Sequence, residues 1–180
     1  MPPDVTIRRL RSRQDQGRYR SGIDAVFFQS SNTQTFADAA ERESFRDRWL
    51  GHYLSADPEW VYLALGAEDD VAGYLVGSLT DPSRSARFAD IGYFRAFAAE
   101  CARFPAHLHV NLLPAYRDRG IGSRLVSAFA AAAQAAGAPG IHVMTARGAR
   151  NIGFYGHNGF AELASTSAGE REIVLLGRAL

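Results

Sequence analysis

Between Leu112 and Leu125 the sequence reads "LLPAYRDRGIGSRL", which sets Arg117, Arg119 and Arg124 around Gly120 and Gly122. A guanidinium offers a planar fork of donors that matches phosphate oxygens. Glycine lets the backbone approach an anion with no Cβ in the way. An apolar run ends at Pro114 just before this segment, and an alanine-rich run with helical spacing follows it. The first turn of a helix carries unpaired N–H groups and the positive end of its dipole, so the chemistry on offer is anion binding. The spacing is not the dinucleotide G-x-G-x-x-G, since position 125 is Leu125, and it is not a P-loop, since no lysine follows. The plain alternative is that the glycines only ease a tight strand-to-helix connection.

Proton-transfer candidates lie on either side of that turn. Regular strand alternation puts His107, His109 and Asn111 of "AHLHVNLL" on one face. An imidazole titrates near neutral pH, so either histidine suits a general base, directly or through water. The competing reading makes at least one of them a structural histidine. Tyr155, taken alone, reads as a core aromatic at a helix end. His142 and His157 are weaker candidates, and Cys101, inside the apolar run "FRAFAAECARF", reads as a small buried hydrophobe rather than a nucleophile. The scattered Cys and His show no metal-ligand spacing, so no metal is expected.

The elements that must position these residues follow from periodicity. A first strand is expected over 5–10, a helix over 14–29 with Tyr19, Ile23, Val26 and Phe27 on one face, and a second helix over 36–54 with Phe45, Trp49 and Tyr53 at every fourth residue. "EWVYLALG" and "VAGYLVGSLT" form a hairpin across "AEDD". Residues 81–105 make an excursion with a loop and a helix over "FADIGYFRAFAAECARF". A strand over "AHLHVNLL", a helix over 119–136 capped by Gly137, a strand over "IHVMTA" and a short helix near 149–157 come next. Two closing strands, 160–165 and 171–177, pair across "STSAGE". No repeat or linker interrupts the chain, so one α/β domain spanning 1–180 is expected.

"PAYRDRGIGSRL" resembles the acyl-CoA binding motif R/Q-x-x-G-x-G/A of the GNAT N-acetyltransferase superfamily, filled here by Arg117, Gly120 and Gly122. "FYGHNGF" (154–160) is similar to the F-Y-x-x-x-G-F segment after that family's fifth strand, and the order of elements also matches. The resemblance implies a mixed, mostly antiparallel sheet of six to seven strands flanked by helices, splayed at the cofactor site. It implies acetyl-CoA as cosubstrate and transfer of acetyl to a primary amine by direct attack in a ternary complex. Backbone N–H groups of Arg119, Gly120, Ile121 and Gly122, with Ser123 or Arg124 next, would cradle the pyrophosphate. Main-chain groups of Leu112 and Leu113 would hold the pantetheine and polarise the thioester carbonyl, and Tyr155 would protonate the leaving thiolate. Many relatives carry Asn seven residues before that tyrosine, where this chain has Gly148; Asn151 is then the candidate to contact CoA. "HLHVNLLPAYRDRGIG" and "GAPGIHV" also resemble the acetyltransferase-like domain at the C-terminus of animal O-GlcNAcase and its stand-alone bacterial relatives. The animal domain in that group is a pseudo-acetyltransferase, so an inactive acetyl-CoA-binding module is the rival to an enzyme.

Composition bounds the partners. The 180 residues carry 20 basic and 19 acidic side chains, a net charge of +1, which gives no global field for nucleic acid or anionic membrane. Every basic residue is arginine, so no lysine is available for self-modification. One cysteine precludes an internal disulfide, the N-terminus lacks the apolar stretch of a signal peptide, and no window is long and apolar enough to span a bilayer, so a cytoplasmic protein is expected. Residues 28–36, the hairpin and the 81–105 excursion are expected to select the acceptor, with Phe27, Phe28, Tyr93 and Phe94 either lining a groove or packing in the core. The acceptor amine itself is not legible, and neither is oligomeric state, a homodimer being one option.

Overall fold

The computed structural model describes residues 5–180. Its seven strands are β1 (Thr6–Arg9), β2 (Val61–Leu65), β3 (Val71–Ser78), β4 (Ala106–Leu112), β5 (Gly140–Ala146), β6 (Ala161–Ala168) and β7 (Arg171–Ala179). They form one sheet in the order β1-β2-β3-β4-β5-β7-β6. The β1–β2, β2–β3, β5–β7 and β6–β7 pairs are antiparallel, and β4 runs parallel to β5. The β4–β5 ladder covers Ala106↔Ile141 and His107↔His142, while β4 itself continues to Leu112. The chain divides into two compact units, residues up to Gly77 with His109–Phe129, and Ser78–Leu108 with Ala130–Leu180.

In the first unit, helix α1 (Arg13–Ser30) begins where Ser12 Oγ accepts the Asp15 N–H at 3.1 Å. It buries Tyr19, Ile23, Val26 and Phe27, the stripe read from the sequence. The helix expected over 36–54 is instead α2 (Ala39–Arg46), a π-helical turn over Asp47–Gly51, and α3 (His52–Ala56). The wider turn adds a residue to the helical repeat. It follows directly on Arg46, a buried guanidinium held 2.8 Å from Asp24 of α1. Phe45 and Trp49 are consequently only half-buried, whereas Leu50, Tyr53 and Leu54 enter the core. Helix α6 (Ile121–Ala135) places Phe129 against Trp60 at 5.8 Å and Tyr62 at 6.3 Å. From Ala130 the helix belongs to the second unit, where it closes on Gly137 (φ 85°), with Ala138 N–H reaching back to Ala133 O at 3.0 Å.

In the second unit, the helix expected over 88–104 is broken into α4 (Tyr93–Ala96) and α5 (Ala98–Arg103) after a 3-10 turn at Ala86–Phe88. The reason lies in the sequence: Phe88, Ile91, Phe94 and Phe97, all buried, repeat every third residue, the period of a 3-10 rather than an α-helix. Bonds from Ile91 N–H to Phe88 O, Phe94 to Ile91 and Phe97 to Phe94, at 3.0–3.2 Å, follow that period. The closing hairpin is longer than expected, because β6 and β7 extend until only Gly169 (φ 62°) and Glu170 remain between them. Helix α7 (Asn151–His157) completes this unit. Among the described residues no helix is long and apolar enough to cross a membrane, and no three His, Cys, Asp or Glu side chains are grouped to hold a metal ion.

Candidate functional site

The connection from β4 to α6 lies wholly in the first unit. Tyr116 N–H bonds to Leu113 O at 2.9 Å and Arg117 N–H to Pro114 O at 3.2 Å, so the chain turns sharply at Pro114. Asp118 (φ 58°) and Gly120 (φ 73°) then occupy the left-handed region. A Cβ built on Gly120 meets nothing within 4 Å, so glycine is called for there by φ and not by space. The Arg124 N–H bonds to Gly120 O at 3.0 Å, which makes Gly120 the residue before the helix. The N–H groups of Ile121, Gly122 and Ser123 thus form the first turn of α6, with no intrahelical acceptor. Arg119 and Arg124 are exposed beside them. Left-handed backbone followed by a helix N-terminus is a concave array of N–H donors with two free-standing guanidinium groups, suited to a phosphate.

Arg117 does something other than what its spacing suggests. Its Nε donates to Leu112 O at 3.0 Å, and its NH2 lies 3.5 Å from Ser30 Oγ, which also donates to Leu112 O at 3.3 Å. Arg117 therefore ties the turn to the end of β4 and of α1. The Leu113 N–H donates to Ala72 O at 2.9 Å. The Leu112 carbonyl and the Leu113 amide, two of the main-chain groups expected to hold pantetheine and polarise a thioester, thus have partners within the protein. Glycine in β3 permits this closeness: a Cβ on Gly73 would fall 2.1 Å from Leu112 Cδ2 and 2.8 Å from Asn111 O.

Asn111 Nδ2 donates to Tyr74 Oη at 2.8 Å, which fixes the amide plane. Tyr74 is fully buried, and burial pushes its phenol well above the ordinary value despite the bond from Asn111. His109 is half-buried, its ring edge-on to Tyr53 at 5.3 Å and to Trp49 at 6.2 Å. His107, two residues earlier, belongs to the second unit and is 3% exposed. It stacks on His142 at 5.4 Å and meets Phe88 at 5.1 Å and Phe94 at 5.9 Å. A base for an incoming amine needs access that this position lacks.

The second unit also holds Tyr155 and Asn151. Tyr155 is 5% exposed, between Phe154 at 5.1 Å and Phe160 at 5.5 Å, and burial alone pushes its phenol well up, so it stays protonated through the neutral range. Asn151, exposed at the start of α7, accepts from Thr145 Oγ1 at 2.8 Å through its Oδ1. Gly148 has φ 78° with open space around it. Asparagine is among the side chains that best tolerate that backbone, so the departure at this position is one of side chain and not of chain path. His142 bonds to Phe104 O through Nδ1 at 2.5 Å and faces Cys101 Sγ at 3.9 Å; burial lowers it to about 4 and raises the Cys101 thiol to about 12. Neither titrates near neutral pH.

The structure therefore gathers His109, Asn111, Leu112, Leu113, Arg117 and residues 119–124 in one unit, and His107, Asn151 and Tyr155 in the other. Ser30 and Tyr74 join the first group without having been singled out from the sequence. Only Gly73, a glycine inside the strand run "VAGYLVG", signalled that close approach.

The model of the GNAT acetyltransferase domain matches residues 63–162 of the chain. Among solved structures, SsHAT is 21% identical, with 98% of each chain covered and a TM-score of 0.78. The polyamine N-acetyltransferase of Drosophila melanogaster, which forms N-acetylagmatine, is 14% identical over 98% of this chain and 100% of its own, with a TM-score of 0.70. The NatC complex bound to Gag peptide and CoA is 15% identical over 98% and 99%, with a TM-score of 0.64. These likenesses are of fold, and the seven-stranded, mostly antiparallel sheet agrees with them.

Proposed function

Because the chain belongs to the GNAT family of acetyltransferases, we propose that it binds acetyl-CoA and transfers the acetyl group to a primary amine in a ternary complex. The observation that carries this reading is the turn from Asp118 to Arg124, with its left-handed Asp118 and Gly120, open first helical turn and flanking guanidinium groups. The pyrophosphate of CoA takes those donors, with Arg119 and Arg124 supplying charge and Arg117 holding the turn in place. The amine nitrogen attacks the thioester carbonyl; the N–C bond forms and the C–S bond breaks. The ammonium proton leaves to His109, directly or through water, since of the paired histidines on β4 it is the accessible one. The CoA thiolate takes its proton from Tyr155, whose role rests on its protonated state and its place in the F-Y-x-x-x-G-F segment.

One observation favours a second reading, an acetyl-CoA-binding module without turnover: the Leu113 amide is committed to Ala72 O. Calorimetric titration of cofactor-stripped protein with acetyl-CoA and with CoA separates these possibilities from outright failure. A Kd of about 1 μM or tighter, roughly −8 kcal/mol, is expected for either ligand. Thiol release with an amine panel then distinguishes enzyme from module. No binding of either ligand would overturn both readings.

A further inference from the structure

Residues 31–37, between α1 and α2, are held by local bonds: Gln34 Nε2 donates to Phe28 O at 3.0 Å and Ser31 O at 2.5 Å, and Thr33 N–H donates to Ser31 Oγ at 3.2 Å. With the first turn of α2 they border an open surface pocket of about 440 Å³ lined by Phe28, Thr33, Gln34, Phe36, Asp38 and Arg42. The Arg42 guanidinium lies 3.5 Å above the Phe28 ring, and Phe36 meets that ring edge-on at 6.1 Å. A guanidinium stacked on an aromatic face keeps its N–H donors free in its own plane.

Among the described residues Arg42 has no ion-pair partner. The acids of its own turn are spent on the backbone. Asp38 Oδ1 accepts the Glu41 N–H at 2.8 Å, and Glu41 Oε2 accepts the Ala37 N–H at 2.5 Å. A preset donor fork without an ion-pair partner, in a pocket wall, is suited to an anion held bidentately. Asp38 in the same wall offsets part of the Arg42 charge, which favours a monoanion over a phosphate dianion. The pocket is linked to His109 by ring contacts: Phe36 in its wall meets Phe45 at 5.3 Å, and Trp49, four residues on from Phe45, meets His109 edge-on at 6.2 Å.

We propose that Arg42 is a specificity-determining residue of the acceptor site, and that the acceptor is a primary amine bearing a carboxylate. This rests on the acetyltransferase reading for the identity of the amine, but Arg42 is tested by binding alone. The full-length protein, saturated with CoA, is titrated with the α-amino acids and with their α-carboxamides, beside Arg42→Ala and Arg42→Lys. At least one acid is expected to bind about tenfold more tightly than its amide. Arg42→Ala should abolish that preference, Arg42→Lys should restore only part of it, and the CoA affinity of both variants should stay within about twofold of the parent. Turnover with the same pairs should show the preference in kcat/KM. Equal binding of acid and amide across the panel, or a preference that survives Arg42→Ala, overturns the proposal. Failure of CoA to bind would instead overturn the acetyltransferase reading, and the same titrations on the unsaturated protein would still decide the role of Arg42.

Discussion

His107 and His109 sit two residues apart on one strand and have opposite fates. His107 shares its unit with a buried aromatic core, where His142 has bonds on both ring nitrogens and Cys101 is fully buried. His109 shares its unit with groups left half-open or exposed: the amide of Asn111, Ser123 in the first turn of α6, and the guanidinium groups of Arg42, Arg119 and Arg124. The same residue types thus pack in one unit and stay accessible in the other. What separates them is access, not identity. Polar groups in the second unit should report on stability, and those in the first on ligand affinity.

The strongest test of the open side is Gly120→Val. The added side chain has room but demands a φ near 73°, costing roughly 1–2 kcal/mol for a residue with a Cβ. If the turn relaxes, the donor array is lost, and acetyl-CoA affinity should fall about 100-fold by calorimetry. Gly120→Asn tolerates the same backbone and should stay within a few-fold of the parent. Equal affinity for the valine variant would show that the left-handed turn is not what holds the cofactor.

The closed side is tested by His142→Phe. It orphans the Phe104 carbonyl and the Cys101 thiol while filling most of the ring volume, so a loss of about 1–3 kcal/mol is expected. CoA affinity should be unchanged. His142 is lowered from 6.5 to about 4 by burial, so between those values the unfolded chain binds a proton that the folded chain refuses. Its contribution is fully present above pH 6.5 and fades as pH falls towards 4. Thermal midpoints measured across pH 4–7 should therefore drop less steeply in His142→Phe than in the parent. Parallel curves would mean that some other group governs the acid limb.

How much of this contrast was legible beforehand depends on range along the chain. The turn at 117–124 and the α1 stripe are local patterns, and both stand where periodicity put them. The breaks in the 36–54 and 88–104 helices were misread because an α-helical period was imposed on signals of another kind. The threefold repeat of Phe88, Ile91, Phe94 and Phe97 was visible and points to 3-10 geometry. The π turn after Arg46 is tied to Asp24, which lies in another helix, and no local rule supplies that pairing. The partners of Arg117 are hidden for the same reason: its type fits phosphate, but Leu112 O and Ser30 come together with it only through the packing of β4 beside the end of α1.

Tyr155→Phe probes whether a residue on the closed side nevertheless serves chemistry. Removing the hydroxyl leaves the aromatic contacts with Phe154 and Phe160, so stability should change little. Loss of a general acid should lower kcat about 100-fold with acetyl-CoA affinity kept. An unchanged rate would return Tyr155 to the packing class with His107 and leave the thiolate to be protonated by solvent.

The smallest expected effect belongs to Tyr74→Phe, and it sharpens the boundary between the two kinds of residue. Tyr74 is buried like the core of the second unit, yet its hydroxyl is the partner of Asn111, a half-buried residue of the proposed site. Without that hydroxyl the Asn111 amide is free to rotate, and its Nδ2 loses one bond, worth about 1 kcal/mol. If Asn111 orients the acceptor amine, the variant should raise KM for the amine about fivefold with kcat nearly kept. A purely structural bond would instead lower the thermal midpoint by a few degrees, about what 1 kcal/mol produces in a chain of this size, and leave KM alone. Tyr74 then reads as a buried residue acting through its neighbour, or as one more member of the core.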